Sequence, residues 1–176
     1  YRTKLTMALR RSDTGWMAGL HRYDAPDAVF ALEDCLITDE PVIALWRGVL
    51  QHADLLPDAP SLRASVRLIG DGAALAVEGG DQWTTARALL DAVPALVGIW
   101  WSDGQSHRRR RLMADRGPGQ EHGGSFTQVN ADVADRLRAH VLALVGAQAP
   151  ARVVDAYSGV GDTAACRTEI DWAGGC

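Results

Sequence analysis

The feature that most constrains the fold is a segment of alternating apolar and polar residues, followed by a turn and a second apolar run. Residues 62–69 alternate leucine, alanine and valine with arginine and serine, and residues 73–77 form a second short apolar run. Gly70-Asp71-Gly72 lies between them. Period-two alternation over this length indicates a half-buried strand. A glycine-containing turn between two such runs predicts an antiparallel hairpin.

A second hairpin is predicted at the start of the chain, where residues 4–10 alternate in the same way. The Ser12–Gly15 segment has turn chemistry, and residues 16–23 are the candidate return strand. Two further apolar runs, 29–32 and 96–101, are short enough to be strands. Asp103-Gly104 then turns the chain into residues 107–113.

Helical spacing separates these strands. Asp39-Glu40-Pro41 suits a helix start, because acids favour the positive end of the helix dipole and proline is tolerated in the first turn. An apolar stripe from Val42 to Leu50 follows, and residues 82–93 form a second amphipathic segment. The alternation of hairpins with helices predicts a mixed α+β domain.

The pattern changes after a glycine- and proline-rich stretch at 116–124. Asn130 can cap a helix over 131–145, which Gly146 would end, and Val153-Val154 begins a buried strand. We therefore expect an α/β chain of three parts. They are an α+β domain over 1–116, a linker over 117–130, and a helix followed by a buried strand over 131–176.

Composition excludes several protein classes. Apolar residues make up 47% and charged residues 23% of the 176 residues, which is typical of a globular chain and not of a disordered one. No apolar run approaches the roughly 18 residues of a membrane span, and no signal-peptide core is present. Cys35, Cys166 and Cys176 form no Cys-x-x-Cys pair, so a self-contained zinc site is not expected. We expect a cytoplasmic monomer that does not bind membranes.

The net charge of −4 hides two basic strips. Residues 1–11 contain four basic residues and no acid, and residues 107–116 contain five arginines and one acid. Such strips can bind nucleic-acid phosphates, since arginine offers two parallel hydrogen bonds, or they can be solvated strand faces. Trp100 and Trp101 would face opposite sides of a strand, one in the core and the other a candidate for stacking on a base.

The segment from Val153 to Asp162 has the strongest chemical signal. A strand ends in Asp155 and continues into a loop containing Gly159 and Gly161. Glycine allows the backbone to turn sharply and approach a ligand, and ligands bind at the carboxyl ends of strands in open α/β sheets. The pattern indicates a nucleotide or adenosyl site, or alternatively a structural strand-to-helix turn.

Phe-x-Gln-x-Asn at 126–130 precedes the amphipathic helix, and Val-Val-Asp-x-Tyr-x-Gly-x-Gly follows it at 153–161. With Tyr-Arg-x-Lys at 1–4 and the segment around Cys35, these motifs resemble the S-adenosylmethionine-dependent RNA (uracil-C5)-methyltransferase family. In that family the Tyr-Arg-x-Lys strand opens the central domain, and the cysteine segment belongs to an iron–sulfur site. Residues 55–115 match only loosely. The family methylates uracil in ribosomal or transfer RNA, so the resemblance implies an RNA partner. It also implies a central α+β domain over 1–116 and the start of a Rossmann-like methyltransferase domain over 131–176.

The resemblance also implies a cofactor site for S-adenosylmethionine. The residues that it assigns to cofactor binding are Gln128, Tyr157, Gly159, Gly161, Asp162 and Glu169. Glu169 would bind the ribose, although only eight residues separate it from Gly161, where a helix and a strand normally intervene over about 20 residues. Either the match at Glu169 is accidental or a segment is missing from this copy. Asp155 is not assigned to the cofactor site, because its alternative role is structural: it would orient the loop through backbone hydrogen bonds.

The resemblance leaves the catalytic groups unassigned. The family uses a cysteine nucleophile and a base far downstream of the glycine loop, and neither Cys166 nor Cys176 occupies such a position. In the intact parent, Cys35 would be one ligand of a 4Fe–4S cluster whose other three cysteines lie upstream. We therefore expect a fragment that is inactive by itself. The alternatives are a non-catalytic RNA-binding module and a different Rossmann-like enzyme dependent on S-adenosylmethionine or a nucleotide.

Overall fold

The computed structural model describes residues 2–13, 15–104, 110–117, 130–148, 150, 152–155 and 171–174. The chain divides into two compact units, residues 1–124 and residues 125–176. Most of the predicted linker at 117–130 lies outside the described residues. The described elements combine helices and strands, which confirms the predicted α/β class.

The first unit is built on a seven-stranded mixed sheet. Its strands are β1 (Lys4–Ser12), β2 (Gly15–His21), β3 (Val29–Ala31), β4 (Ser61–Ile69), β5 (Gly72–Glu78), β6 (Leu96–Ser102) and β7 (Arg111–Asp115). They lie in the order β3-β2-β1-β4-β5-β6-β7. All neighbours are antiparallel except β5 and β6, which pair in parallel. Both predicted hairpins, β1–β2 and β4–β5, are confirmed.

Helix α1 (Glu40–Gln51) begins where the sequence predicts it, with Asp39 as N-cap and Pro41 in the first turn. The Asp39 side chain makes no capping hydrogen bond, but its carbonyl accepts from the Val42 N–H at 3.0 Å. A short 3-10 helix (Ala53–Leu55) follows, and helix α2 (Ala86–Ala92) connects β5 to β6. The apolar stripe of α1 is buried.

The main core lies between one face of the sheet and these helices. Alternate residues of β1, β4, β5 and β6 point into it, including Leu9, Val66, Leu75 and Ile99, all inaccessible to solvent. Trp46 of α1 joins the same cluster, and its indole Nε1–H donates to the Leu5 carbonyl at 3.3 Å. We call this side of the sheet the helix-covered face.

Helix α2 is shorter than the predicted segment 82–93. Trp83 Nε1–H and Thr85 Oγ1–H both donate to the Leu55 carbonyl, at 2.8 and 2.7 Å. These tertiary bonds hold the preceding segment outside the helix, which therefore begins at Ala86. After the Asp103-Gly104 turn, the described strand β7 spans Arg111–Asp115 and overlaps the predicted segment 107–113.

The described part of the second unit contains helix α3 (Ala131–Gln148) and two parallel strands, β8 (Arg152–Asp155) and β9 (Asp171–Gly174). Asn130 Oδ1 accepts from the Val133 N–H at 3.0 Å, which confirms the predicted cap. The predicted stop at Gly146 is wrong, since the helix continues through it; glycine in a helix costs only about 1 kcal/mol. Among the described helices, none combines the length and apolar character of a membrane span.

Candidate nucleic-acid interface

Cationic side chains gather on the face of the sheet opposite α1 and α2, which we call the basic face. The register of β1 with β4 places Lys4 opposite Arg67 and Arg10 opposite Ser61. Arg63 lies between them along β4 and opposite Ala8. Because successive side chains of a strand point to opposite faces of the sheet, these residues all point to the face opposite the main core.

Glu78 at the end of β5 receives two of these cations. It pairs with Arg63 across β4 and β5 at 3.1 Å and with Arg110, which precedes β7. Burial opposes ionisation of Glu78, but the hydrogen bonds from Arg110 and Arg63 together outweigh it and hold its pKa below the ordinary value. The ion pairs hold Arg63 and Arg110 on either side of one carboxylate. We call Lys4, Arg10, Arg63, Arg67 and Arg110 the basic cluster.

Arg67 is the most buried member of the basic cluster, at 8% exposed. Burial lowers the pKa of Arg67, and the neighbouring Arg110 charge lowers it further. Burial also lowers the pKa of Lys4, with additional repulsion from Arg67, Arg110 and Arg63 that Glu78 only partly offsets. These directions show that the cationic charges of the cluster lie within electrostatic reach of one another.

A small apolar patch lies beside the cluster. Ala74, Ala76 and Trp100 are buried there, with Ile69 packed against them. A Cβ atom added to Gly98 would meet Trp100 Cη2 at 2.5 Å, so only glycine leaves room for the indole. Trp101 lies in the main core, as expected for one of the two tryptophans. Trp100 is only 4% exposed, so its ring is not accessible for stacking on a base.

A groove of about 480 Å³ adjoins the cluster where β5 and β6 end. Arg10, Arg63 and Glu78 line its strand side. Gly79 and Gly80 turn the chain there with positive φ angles of 115° and 77°, a conformation that favours glycine. On the loop side, the lining includes the carboxylates Asp58, Asp81 and Asp103. The groove therefore has a largely cationic wall and an acidic wall.

The structure separates the members of the two predicted basic strips. Lys4, Arg10 and Arg110 lie on the basic face, whereas Arg11 stacks on Trp16 at 4.9 Å and pairs with Asp58 at 3.3 Å. Arg111 stacks on Trp101, also at 4.9 Å.

Arg116, from the second strip, has a structural role. Its Nε–H donates to the Leu96 carbonyl at 2.8 Å, and its Nη2–H donates to the Leu90 carbonyl. Arg108 and Arg109 lie outside the described residues. Sequence reasoning missed Arg63 and Arg67, although the alternation of β4 already placed them on one face.

Every residue predicted to bind the cofactor lies outside the described part of the chain. These residues are Gln128, Tyr157, Gly159, Gly161, Asp162 and Glu169. The predicted strand at Val153-Val154 is present as β8. The described strand β9 spans Asp171–Gly174. The assignment of these residues to S-adenosylmethionine stays a prediction.

Cys35, the predicted cluster ligand, is half-buried near the start of α1. Its Sγ accepts a hydrogen bond from Thr38 Oγ1 at 3.2 Å, and its N–H donates to Asp34 Oδ1 at 2.7 Å. Within the described ranges, no group of three or more His, Cys, Asp or Glu residues could hold a metal ion. A 4Fe–4S cluster needs four ligands, so the described residues do not fit one.

The chain matches no protein-family model, and no curated protein matches it significantly.

Proposed function

We propose that the chain is part of an S-adenosylmethionine-dependent RNA (uracil-C5)-methyltransferase and that its first unit binds RNA through the basic face. The observation that carries the RNA-binding proposal is the basic cluster, which three separate parts of the sequence supply. The enzyme class rests on the sequence resemblance. The proposed protein works in the cytoplasm as a monomer on ribosomal or transfer RNA.

The charge distribution supports a phosphate ligand over an acidic protein partner. Arg63 is 63% exposed in its side chain and retains hydrogen-bonding capacity beyond its bond to Glu78. Guanidinium groups bind phosphate oxygens in pairs, and a spaced row of them follows a polynucleotide backbone. The carboxylates Asp58, Asp81 and Asp103 repel phosphates from the loop side of the groove. A backbone would therefore run along the strands.

The resemblance assigns methyl transfer to the second unit. S-adenosylmethionine would supply the methyl group for C5 of uracil, and Gln128, Tyr157 and Asp162 would contact the cofactor beside the glycine loop. The first unit would hold the RNA so that the target base reaches that site. We expect the 176-residue chain to bind RNA without turning over, since no residue of it matches the family's nucleophile or base.

Salt-dependent RNA binding tests the interface. Anisotropy of a labelled uridine-containing hairpin, measured between about 50 and 200 mM salt, gives the number of phosphates neutralised. Replacing Arg10, Arg63 and Arg110 with Gln should weaken binding and make the slope less negative by about two to three units.

A matched control removes the same charge elsewhere in the first unit. Arg22, Arg47 and Arg87 are exposed and pair with Asp24, Glu40 and Asp91. Replacing these three with Gln should leave the slope close to that of the wild type. Equal slopes for the two triple variants would contradict the proposed interface.

A non-catalytic RNA-binding module is the second candidate, because the basic cluster lies wholly within the first unit. Calorimetry with S-adenosylhomocysteine distinguishes the methyltransferase part from the non-catalytic RNA-binding module. A cofactor site should give binding heat that Tyr157→Ala removes, and a pure binding module should give none. Single-turnover methylation by the chain would contradict the expectation of inactivity.

A further inference from the structure

Arg67 is 8% exposed as a residue, but its guanidinium nitrogens are not among the buried unpaired atoms of the described residues and therefore reach solvent. Its side chain makes no hydrogen bond or ion pair to any residue that the structure describes. The residue directly opposite it on β1 is Lys4, a second cation, and the residue opposite it on β5 is Ala74. Like charges in directly opposed positions destabilise a sheet. The strand pairing alone therefore offers Arg67 no compensation.

No ion pair joins Glu78 to Arg67 in the described structure. Its partner in the strand register is Arg63, four residues from Arg67 on β4. Four residues of strand span about 13 Å. The Glu78 carboxylate is already engaged by Arg63 and Arg110. Arg110 binds Glu78. Burial lowers the pKa of Arg67, and the Arg110 charge lowers it further.

An anion would resolve this imbalance. Arginine does not lose its proton in proteins, so the Arg67 guanidinium stays charged and offers N–H donors that a bound anion can accept from. Lys4 is half-buried, and the Arg110 side chain is 28% exposed. Arg67, at 8% exposed, is the most buried of the three.

We propose that Lys4, Arg67 and Arg110 form a seat for one phosphodiester group of the RNA backbone, with the Arg67 guanidinium at its centre. The inference rests on the proposed function, since RNA is the ligand that brings the phosphodiester. Inorganic phosphate shares the chemistry of the group and is the alternative source. The seat differs from a general electrostatic surface in that one buried residue, rather than total charge, determines a single contact.

The test compares Arg67→Met with Arg47→Met, each of which removes one positive charge. Arg47 lies on α1 and bonds to Glu40 and the Glu33 carbonyl, away from the basic face. Binding of the labelled RNA hairpin is measured over the same salt range. Arg67→Met should bind about five- to tenfold more weakly at low salt, with a slope less negative by about 0.9. Arg47→Met should match the wild type.

Two further variants keep the test valid if Arg67→Met does not fold. Arg67→Lys retains the charge but loses the paired hydrogen bonds of guanidinium, so it should bind RNA less tightly than the wild type. Lys4→Gln should reduce the slope as Arg67→Met does. If both retain wild-type affinity and slope, the seat is overturned.

Titration of inorganic phosphate distinguishes the two sources of the anion. The Nε–H resonance of Arg67 should shift when either phosphate or the RNA hairpin is added, and phosphate should compete with the RNA. A shift with phosphate but no loss of RNA affinity in Arg67→Met would overturn the backbone contact in favour of a free-phosphate site. If the wild type binds no RNA at all, the proposed function fails. If the wild type binds RNA, and Arg67→Met has the same RNA affinity and salt slope as Arg47→Met, only the proposed seat is overturned.

Discussion

The two faces of the seven-stranded sheet are made by the same strands but differ in the chemistry of their buried side chains. On the helix-covered face, Val66 and Leu75 are inaccessible to solvent, and α1 and α2 cover them. On the basic face, the neighbouring Arg67 is nearly as buried, yet its charge has no described acceptor. The apolar side chains of the first face are buried against the described helices. The second face presents cationic charge without a described acceptor at Arg67, which is the basis of our proposal that it binds an anion.

The largest expected effect is on the helix-covered face. Leu75→Ala should lower the free energy of unfolding by about 3 kcal/mol, because it removes a fully buried side chain from a central strand and leaves a cavity. Chemical denaturation measures this. RNA affinity of the folded variant should stay within about twofold of the wild type, since electrostatic contacts dominate backbone binding. A large loss of affinity in folded protein would show that the two faces are not independent.

The next effect tests the apolar patch of the basic face. Gly98→Ala places a methyl group where the Trp100 indole lies and should cost about 2 kcal/mol of stability. Trp fluorescence should change in the same variant as the ring is displaced. Gly15→Ala is not a suitable control, because Gly15 has a φ of 123°. Ala44→Gly on the exposed side of α1 serves better, with an expected cost of about 1 kcal/mol. A neutral Gly98→Ala would contradict the placement of Trp100.

Glu78→Gln should move stability and RNA affinity in opposite directions. Stability should fall by about 1 kcal/mol at neutral pH, because Arg63 and Arg110 lose their charged partner. RNA should bind about threefold more tightly at low salt, since a negative charge beside the phosphates is removed. Looser RNA binding would contradict the basic face as the interface.

The same variant has a pH signature. The pKa of Glu78 is lower in the folded chain than its ordinary value. Its contribution to stability is therefore present above the ordinary pKa and is lost as pH falls through the folded pKa. The stability difference between wild type and Glu78→Gln should shrink toward acid pH. A difference that does not change with pH would show that the Glu78 ion pairs add nothing to folding.

The smallest effect concerns the unpaired donor on the other face. Among the described residues, Trp16 Nε1 is a buried donor without an acceptor, whereas Trp83 Nε1 donates to the Leu55 carbonyl. Trp83→Phe should therefore cost about 1 kcal/mol more than Trp16→Phe, as measured by denaturation. Equal costs would show that Trp16 has a partner in solution. Trp16 thus places a neutral buried donor without a described acceptor on the helix-covered face.

Local signals in the sequence predict much of the fold. Alternation and turn residues locate β1, β2, β4 and β5, and the apolar stripe locates α1. The parallel pairing of β5 with β6 was not predicted, because it depends on α2 crossing the sheet rather than on a local turn. The start of α2 depends on tertiary bonds to Leu55, which no local pattern contains.

The sequence predicts less of the candidate site than of the fold. Runs of basic residues direct attention to residues 1–11 and 107–116, but the cluster unites Lys4 with Arg67, which the register of β1 and β4 brings together. Within the strips, Arg116 serves as a donor to backbone carbonyls. A linear count of charge cannot separate that role from a surface role. Strand pairing is the information that was missing.

Methyl NMR of the alanines tests the central claim most directly, because the two faces carry alanine in the same strands. Ala8 and Ala76 point to the basic face, and Ala64 and Ala73 point to the main core. On addition of the RNA hairpin, the resonances of Ala8 and Ala76 should shift while those of Ala64 and Ala73 stay unchanged. Shifts confined to Ala64 and Ala73, or to Ala86 of α2, would contradict RNA binding on the basic face.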